Sequence, residues 1–365
     1  MQVGLDTVIT DLASFSRTPY EFVLYSFPWS EGEIADFDGP LDWQKQVLLD
    51  IGSGLLTPNE ALQFATASGH GIGKSALVAW IILWSLATFE DARGVVTANT
   101  ETQLKTKTWA ELGKWYRLFV GRDLFKFTAT AIFSTDPDHE KTWRIDMVPW
   151  SERNPEAFAG LHNQGKRVVL IFDEGSGIHD IIWETSQGAL TDRDTEILWL
   201  VFGNPTKNTG QFRQCFASNS GWLTRQIDSR EVSITNKKQI EKWRAAYGDD
   251  SDFFRVRVRG VFPRVGSMEF ISLEACDEAS RRDVFVHLHD PLVFGVDVAR
   301  FGDDSSVIYI RKGRDARTHL PMLYSGIDTM ALAGEVARLY REFRPDGVFI
   351  DGGGVGGGVV DRCRQ

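Results

Sequence analysis

A lysine and a serine closing a glycine-rich turn, two adjacent acids about a hundred residues later, and two acids in the last third of the chain are the residues whose types and spacing could do chemistry. The stretch ASGHGIGKSALVAW sets Gly73-Lys74-Ser75 after an apolar run, Leu62–Ala67, and before an apolar helix-like segment. That context suits a phosphate-binding loop. Backbone N–H groups from Ser68, Gly69, His70, Gly71, Ile72 and Gly73 surround phosphate oxygens, Lys74 neutralises them and Ser75 reaches Mg2+. The strict pattern G-x-x-x-x-G-K-[ST] asks for glycine at position 68, where this chain has Ser68. The alternative is a glycine turn leading into a core helix that happens to carry a lysine.

The run VVLIFDEG, Val168 to Gly175, delivers Asp173 and Glu174 at the end of an apolar strand, where a buried parallel sheet presents its chemistry. Asp173 suits a water-mediated hold on Mg2+, and Glu174 suits polarising the water that attacks the γ-phosphate of ATP. A solvated turn is the competing reading. Trp43 and Gln44 in GPLDWQKQVL offer an aromatic and an amide to adenine, or plain packing. Asn204, in LWLVFGNPT, ends another strand within reach of a γ-phosphate or its attacking water, although Asn-Pro also favours a turn.

A second chemistry belongs to Asp297, inside the apolar run VFGVDVA, and Asp351, which ends the strand-like run GVFID. An unpaired carboxylate buried in an apolar strand is costly. If their strands are neighbours, these acids, 54 residues apart, converge and share one or two Mg2+ or Mn2+ ions for phosphodiester hydrolysis. Otherwise they cap helices. Asp303 and Asp304 add a ligand or form a turn. Six of the eight residues after Asp351 are glycine, and G-x-G-x-x-G can be laid over Gly352, Gly354 and Gly357. A dinucleotide fingerprint also wants an acid about 20 residues further on. The glycines read better as bare backbone that permits close approach beside Asp351.

The elements that must position these residues alternate strand and helix up to about residue 210, which predicts a mainly parallel sheet covered by helices on both faces. From Pro291 the order becomes three strands joined by short turns, a helix over Met330–Phe343 and one more strand, the opening order of a ribonuclease H-like domain. Such a fold continues further, so an incomplete second domain is expected.

With 365 residues, 42 % apolar and 25 % charged, the chain has room for two domains of ordinary globular composition. Its longest apolar run, Ala76–Leu86 with only Ser85 interrupting, is shorter than the roughly 20 residues a bilayer span needs, and the N-terminal stretch lacks the pattern of a secretory signal. Three scattered cysteines suggest neither a disulfide framework nor a metal motif, and a reducing cytoplasm is the default. The net charge of -10 argues against a chain coated in nucleic acid, but it is uneven. Residues 1–60 carry two basic residues against ten acids, whereas residues 211–265 carry eleven Lys/Arg against six Asp/Glu. Within the basic stretch, Arg255, Arg257 and Arg259 alternate with valines, which predicts three guanidiniums on one face of a strand. They would track a phosphate backbone, form a solvated edge, or pair with Asp249, Asp250 and Asp252.

Taken in order, WQKQVL, SGHGIGKS, VVTANTETQLKTKTWAELGKW, VVLIFDEG, GNPTKNTGQF, FRVRVRGVFP, FGVDVARFGDD and FIDGGGVGGGVVD resemble the large terminase subunit of tailed bacteriophages, over nearly the whole chain. The resemblance implies a P-loop (ASCE, RecA-like) ATPase domain over 1–210, a lid or linker over 211–290, and the first part of a ribonuclease H-like nuclease over 291–365. It implies ATP hydrolysis at Lys74, Asp173 and Glu174 that drives double-stranded DNA into a procapsid, and cutting of concatemers at Asp297 and Asp351. ATP with Mg2+, and Mg2+ or Mn2+ at the nuclease site, are the expected cofactors. Expected partners are double-stranded DNA, the portal protein of the procapsid, the small terminase subunit and further copies in a ring, in the host bacterial cytoplasm and away from any membrane.

Deviant P-loops are common in that family, so Ser68 fits it. Many members carry arginine in the loop where this chain has His70, so a loop arginine cannot be carried over. An arginine acting from a neighbouring subunit is expected too, with Arg153 and Arg167 as candidates. In the family the Asn204 region couples hydrolysis to movement. The third nuclease acid lies on a later segment, so weak cleavage is expected of a chain ending at Gln365. Two other readings are a helicase-like DNA-dependent ATPase, which lacks later helicase motifs here, and a non-catalytic DNA-binding assembly component from a prophage remnant.

Overall fold

The computed structural model describes residues 5–57, 61–151, 158, 161–264, 273–299 and 304–365. The chain divides into two units, Met1–Glu274 and Ala275–Gln365. In the first, the strands are β1 (Leu62–Ser68), β2 (Arg93–Ala98), β3 (Phe125–Phe127), β4 (Ala131–Ser134), β5 (Arg144–Met147), β6 (Arg167–Asp173), β7 (Glu196–Gly203) and β8 (Leu223–Ile227). They form one sheet in the order β3-β4-β5-β2-β6-β7-β1-β8. Every pair from β5 to β8 is parallel, and only the β3–β4 and β4–β5 pairs are antiparallel.

The sheet is covered on both faces, which is why β6 and β7 read as continuous apolar runs rather than alternating ones. Successive residues of β6 and β7 enter different cores. Val169, Ile171, Leu198, Leu200 and Phe202 join the helix Lys74–Ala87 on one face, while Val168, Leu170, Phe172, Ile197, Trp199 and Val201 meet Phe158, Ile182 and Trp183 on the other. The helix Lys74–Ala87 buries every residue from Leu77 to Leu86, so its sequence is apolar all round. Among the described residues no helix is long and apolar enough to cross a membrane.

Arg167 departs from its expected role. Instead of standing at the surface for a neighbouring subunit, it is fully buried at the start of β6. Its Nε donates to Glu196 Oε1 at 2.5 Å, Nη1 to Thr88 Oγ1 at 2.9 Å and Nη2 to the Ser16 carbonyl at 2.8 Å, while the guanidinium lies 4.2 Å from the Trp84 ring centroid. An apolar core accepts an arginine only with such partners. The other candidate, Arg153, falls outside the described residues.

The second unit holds β9 (Leu292–Asp297), β10 (Ser305–Lys312), β11 (Met322–Ser325) and β12 (Gly347–Ile350) in the order β11-β10-β9-β12. β10 pairs antiparallel with β9 and β11, and β12 runs parallel to β9. Phe294, Val296, Ile308 and Ile310 pack on Leu332, Ala333, Val336 and Leu339 of the helix Thr329–Phe343. Hairpin strands, helix and returning parallel strand follow the order read from the sequence.

Candidate functional site

β1 ends at Ser68, and the chain turns through Gly71 (φ +72°) and Gly73 (φ +85°) into the helix Lys74–Ala87. Both values lie in the left-handed region that glycine enters without penalty. Gly73 caps the helix without a side chain, which keeps its first-turn N–H groups open to an anion. A Cβ added at Gly71 would meet nothing within 4 Å, so the space beside the loop is open there. A cradle of bare backbone ahead of a lysine fits a polyphosphate.

β7 lies between β1 and β6 in the sheet, so Asn204, just past the end of β7, stands between the loop and the acids of β6. Lys74 Nζ donates to Asn204 Oδ1 at 3.1 Å and lies 3.9 Å from Glu174 Oε1. Asn204 Nδ2 donates in turn to the Ser68 carbonyl at 2.6 Å, and its own carbonyl accepts from Ser176 Oγ at 2.6 Å. Lys74, Glu174 and Asn204, separated by 130 residues at the extremes, meet at one point.

Glu174 has φ +54° and ψ +46°, a left-handed conformation that costs a non-glycine residue about 1–2 kcal/mol. The kink sends neighbouring acids to different surroundings. Glu174 faces Lys74 with its side chain 30 % exposed, while Asp173 is buried, accepting from Thr108 Oγ1 at 2.6 Å and from the Glu174 N–H at 3.0 Å. Burial, and then the charge of Glu174, push the Asp173 carboxyl above the ordinary carboxylate range, against the opposing pull of Lys74 and Thr108. Because the folded value is raised, the ionised side chain weakens the fold at neutral pH, and this penalty disappears as pH falls through the raised value. Asp173→Asn should therefore unfold at a higher temperature than wild type at pH 7, with the difference shrinking in acid. Thermal melts across pH check this; a lower melting temperature at pH 7 would contradict it.

Part of the predicted cradle faces the other way. The N–H groups of Gly69 and His70 donate to Ile227 O at 3.1 Å and Arg257 O at 2.8 Å, and Ser68 is buried. These three residues brace the loop from behind, which leaves Gly71, Ile72, Gly73, Lys74 and Ser75 as the open part of the loop. Gln44 has a different task from reading adenine. It is 2 % exposed, its Oε1 accepts from the Leu41 N–H at 2.9 Å, and its Nε2 donates to the Gly73 carbonyl at 2.9 Å. Trp43 Nε1 donates to the Ile72 carbonyl at 3.0 Å, so the pair clamps the loop to the helix Asp42–Gly54. The three arginines do not share a strand face, because Arg255–Arg259 form a π-helical turn.

In the second unit the Asp351 N–H donates to the Val296 carbonyl at 2.9 Å, and Ile350 is in register with Val296, which brings Asp351 alongside Asp297. Both acids are exposed at the ends of their strands; Asp297 is not the buried carboxylate that its apolar run suggested. Asp351 Oδ1 accepts from the Gly353 N–H at 2.9 Å. The need for glycine is sharpest at Gly356, where a Cβ would fall 1.8 Å from the Asp351 carbonyl oxygen. Asp304 is exposed just before β10, and Asp303 lies outside the described residues. Two exposed carboxylates suit a divalent cation, although no group of three or more His, Cys, Asp or Glu is set to hold a metal among the described residues.

No family model matches the chain. The probable large terminase subunit of Enterobacteria phage P7 is 27 % identical to it over 364 residues, covering 93 % of this chain and 71 % of that protein. The chain is similar in sequence to that phage large terminase subunit. The crystal structure of the HK97 bacteriophage large terminase superposes with a TM-score of 0.53 at 12 % identity, covering 91 % of this chain and 79 % of that one, a likeness of fold. The large terminase of the thermophilic bacteriophage D6E gives a TM-score of 0.44 at 11 % identity, over 85 % of this chain and 76 % of that one.

Several site residues carried no sequence signal. Thr108 sits in a π-helical stretch, Leu104–Trp109, inside an otherwise α-helical run, and that local widening brings its hydroxyl to Asp173. Ser176 and Ser229, which hold Asn204 and the His70 carbonyl (2.9 Å), are serines in turns like many others.

Proposed function

We propose that the chain is the ATP-hydrolysing subunit of a phage DNA-packaging motor, with a metal-dependent nuclease centre in its second unit. The reading rests above all on the Lys74 amine, held between Asn204 Oδ1 and Glu174 Oε1 beside an uncapped helix N-terminus. Incoming phosphates draw Lys74 toward the loop. That frees Glu174 to orient and polarise a water, and leaves Asn204 to report the change to Ser68 and Ser176. Ser75 and Asp173 would hold Mg2+, whose chemistry is to neutralise charge on the β- and γ-phosphates. Phosphate release from ATP, with Mg2+ and double-stranded DNA, tests the reading. Wild type should turn over and Lys74→Ala should not; equal rates would sink the motor.

For the second unit, Asp297 and Asp351 are the proposed ligands of Mg2+ or Mn2+, which would activate water for phosphodiester cleavage. Mn2+ binding, followed by loss of the free-ion paramagnetic signal, should weaken about tenfold or more in Asp297→Asn and in Asp351→Asn. Wild-type affinity in both variants would remove the metal assignment. Translocation of double-stranded DNA, docking on a portal protein, a small terminase subunit and a ring of copies complete the proposal by analogy with the family.

A further inference from the structure

Three arginines follow one another at every second position in the turn Arg255–Arg259, and two are committed to neighbours. Arg255 donates to the Phe262 carbonyl at 3.1 Å and lies 3.9 Å from Asp252, and Arg259 pairs with Asp250 at 3.2 Å. Arg257 has no carboxylate partner among the described residues; it is exposed, with its guanidinium 4.9 Å from the Phe253 ring centroid.

The backbone of this same turn is fastened to the phosphate loop. The Arg257 carbonyl accepts the His70 N–H at 2.8 Å, the Ser229 N–H donates to Val258 O at 2.8 Å, and Ser229 Oγ donates to His70 O at 2.9 Å. A Cβ at Gly69 would lie 2.3 Å from Val258 O, so loop and turn are in direct contact. Loss of solvent, then the charges of Lys74 and Arg257 and more weakly Lys107, keep the pKa of the His70 ring below the ordinary imidazole value, with Glu174 alone opposing them. Cations from three separate segments thus act on His70; Lys74 faces Glu174, while neither Arg257 nor the more weakly acting Lys107 has a carboxylate partner among the described residues, and of these two only Arg257 belongs to the turn bonded to the loop.

We propose that Arg257 is a phosphate-contacting residue of the nucleotide site, supplied in cis by the turn that braces the loop, and that it distinguishes a nucleoside triphosphate from a diphosphate. This rests on the reading of Lys74 as the phosphate lysine. A guanidinium can leave a ring face and donate two parallel hydrogen bonds to a terminal phosphate, which neither neutral nor partly protonated His70 can do. Because turn and loop are bonded, engagement of Arg257 also makes the segment around the helix Lys237–Tyr247 sensitive to which nucleotide is bound.

The test is equilibrium binding of a non-hydrolysable ATP analogue and of ADP, each with Mg2+, to the full chain. Arg257→Ala and Arg257→Gln, the second keeping the stem over Phe253, should each bind the triphosphate about tenfold or more weakly and ADP within about threefold of wild type. Arg257→Lys should recover part of the loss, and Arg259→Ala, which breaks the Asp250 ion pair and a long contact to the Asp249 carbonyl, should bind both as wild type does. Arg257 variants that bind both nucleotides like wild type, or lose both equally, overturn the proposal. Lys74→Ala separates the two claims. If it loses both nucleotides while Arg257→Ala loses neither, only the arginine assignment fails; if it too binds normally, the nucleotide site itself is elsewhere.

Discussion

Glu174→Gln should hydrolyse ATP about a hundredfold or more slowly than wild type while binding the nucleotide as tightly. The glutamate carboxylate stands 3.9 Å from Lys74 Nζ in a left-handed kink, and the one ion pair lost with its charge is the contact that incoming phosphate would itself replace. A positioned base contributes roughly 10²–10⁴ to rate, and an amide of the same shape cannot accept the proton. Binding instead depends on the loop and Lys74, which the substitution leaves intact. The neighbouring acid behaves differently. Asp173→Asn should lose turnover through metal binding, so nucleotide affinity becomes insensitive to Mg2+, whereas Glu174→Gln should keep that sensitivity. Single-turnover phosphate release beside a nucleotide titration separates the two. Turnover within about threefold of wild type in Glu174→Gln would move the base elsewhere.

Arg167→Met should destabilise the first unit by about 3–5 kcal/mol, the cost of leaving one half of a buried ion pair behind. Among the described residues Glu196 would keep only Arg17, at 4.0 Å, and Thr88 Oγ1 and the Ser16 carbonyl would lose a buried donor. Burial lowers the Arg167 pKa against the pull of Glu196, yet a guanidinium stays charged, so the pair is what offsets the burial of its charge. Replacing both partners, Arg167→Met with Glu196→Leu, should recover much of the loss, since an apolar pair of similar volume suits the site. Urea unfolding of the single and double variants measures both quantities. A loss below about 0.5 kcal/mol in the single variant would mean that Arg167 is not a structural tie.

How legible this was in the sequence depended on how local the signal was. Buried strands and the helix Lys74–Ala87 announce themselves by long apolar runs, and β9 to β12 by alternation and short turns. β3, β4 and β5 are three or four residues long, too short for a period to show, so the sheet is wider than the sequence suggested. Lys74, Asp173 and Glu174 stood out as candidates because Asp173 ends an apolar strand, Glu174 follows it, and Lys74 closes the turn after another. What lay hidden were contacts between distant segments: Gln44 on Gly73, Thr108 on Asp173, Arg167 in the core, and the turn at Arg257 against His70. The arginine alternation pointed to a strand because spacing of two fits a strand, yet Arg255–Arg259 form a π-helical turn. Pairing with the nearby acids, the third reading open from the sequence, holds for Arg255 and Arg259 and fails for Arg257.

The most direct measurement is a structure of the full chain with Mg2+ and a non-hydrolysable ATP analogue. The terminal phosphate should sit over Gly71–Ser75 with Lys74 Nζ drawn off Asn204 Oδ1, from its present 3.1 Å, and onto phosphate oxygen, and with Glu174 facing the γ-phosphate. Nucleotide bound away from this loop, or bound there with the Lys74–Asn204 hydrogen bond still in place, would contradict the assignment of Lys74 and Glu174 as the working residues of the site.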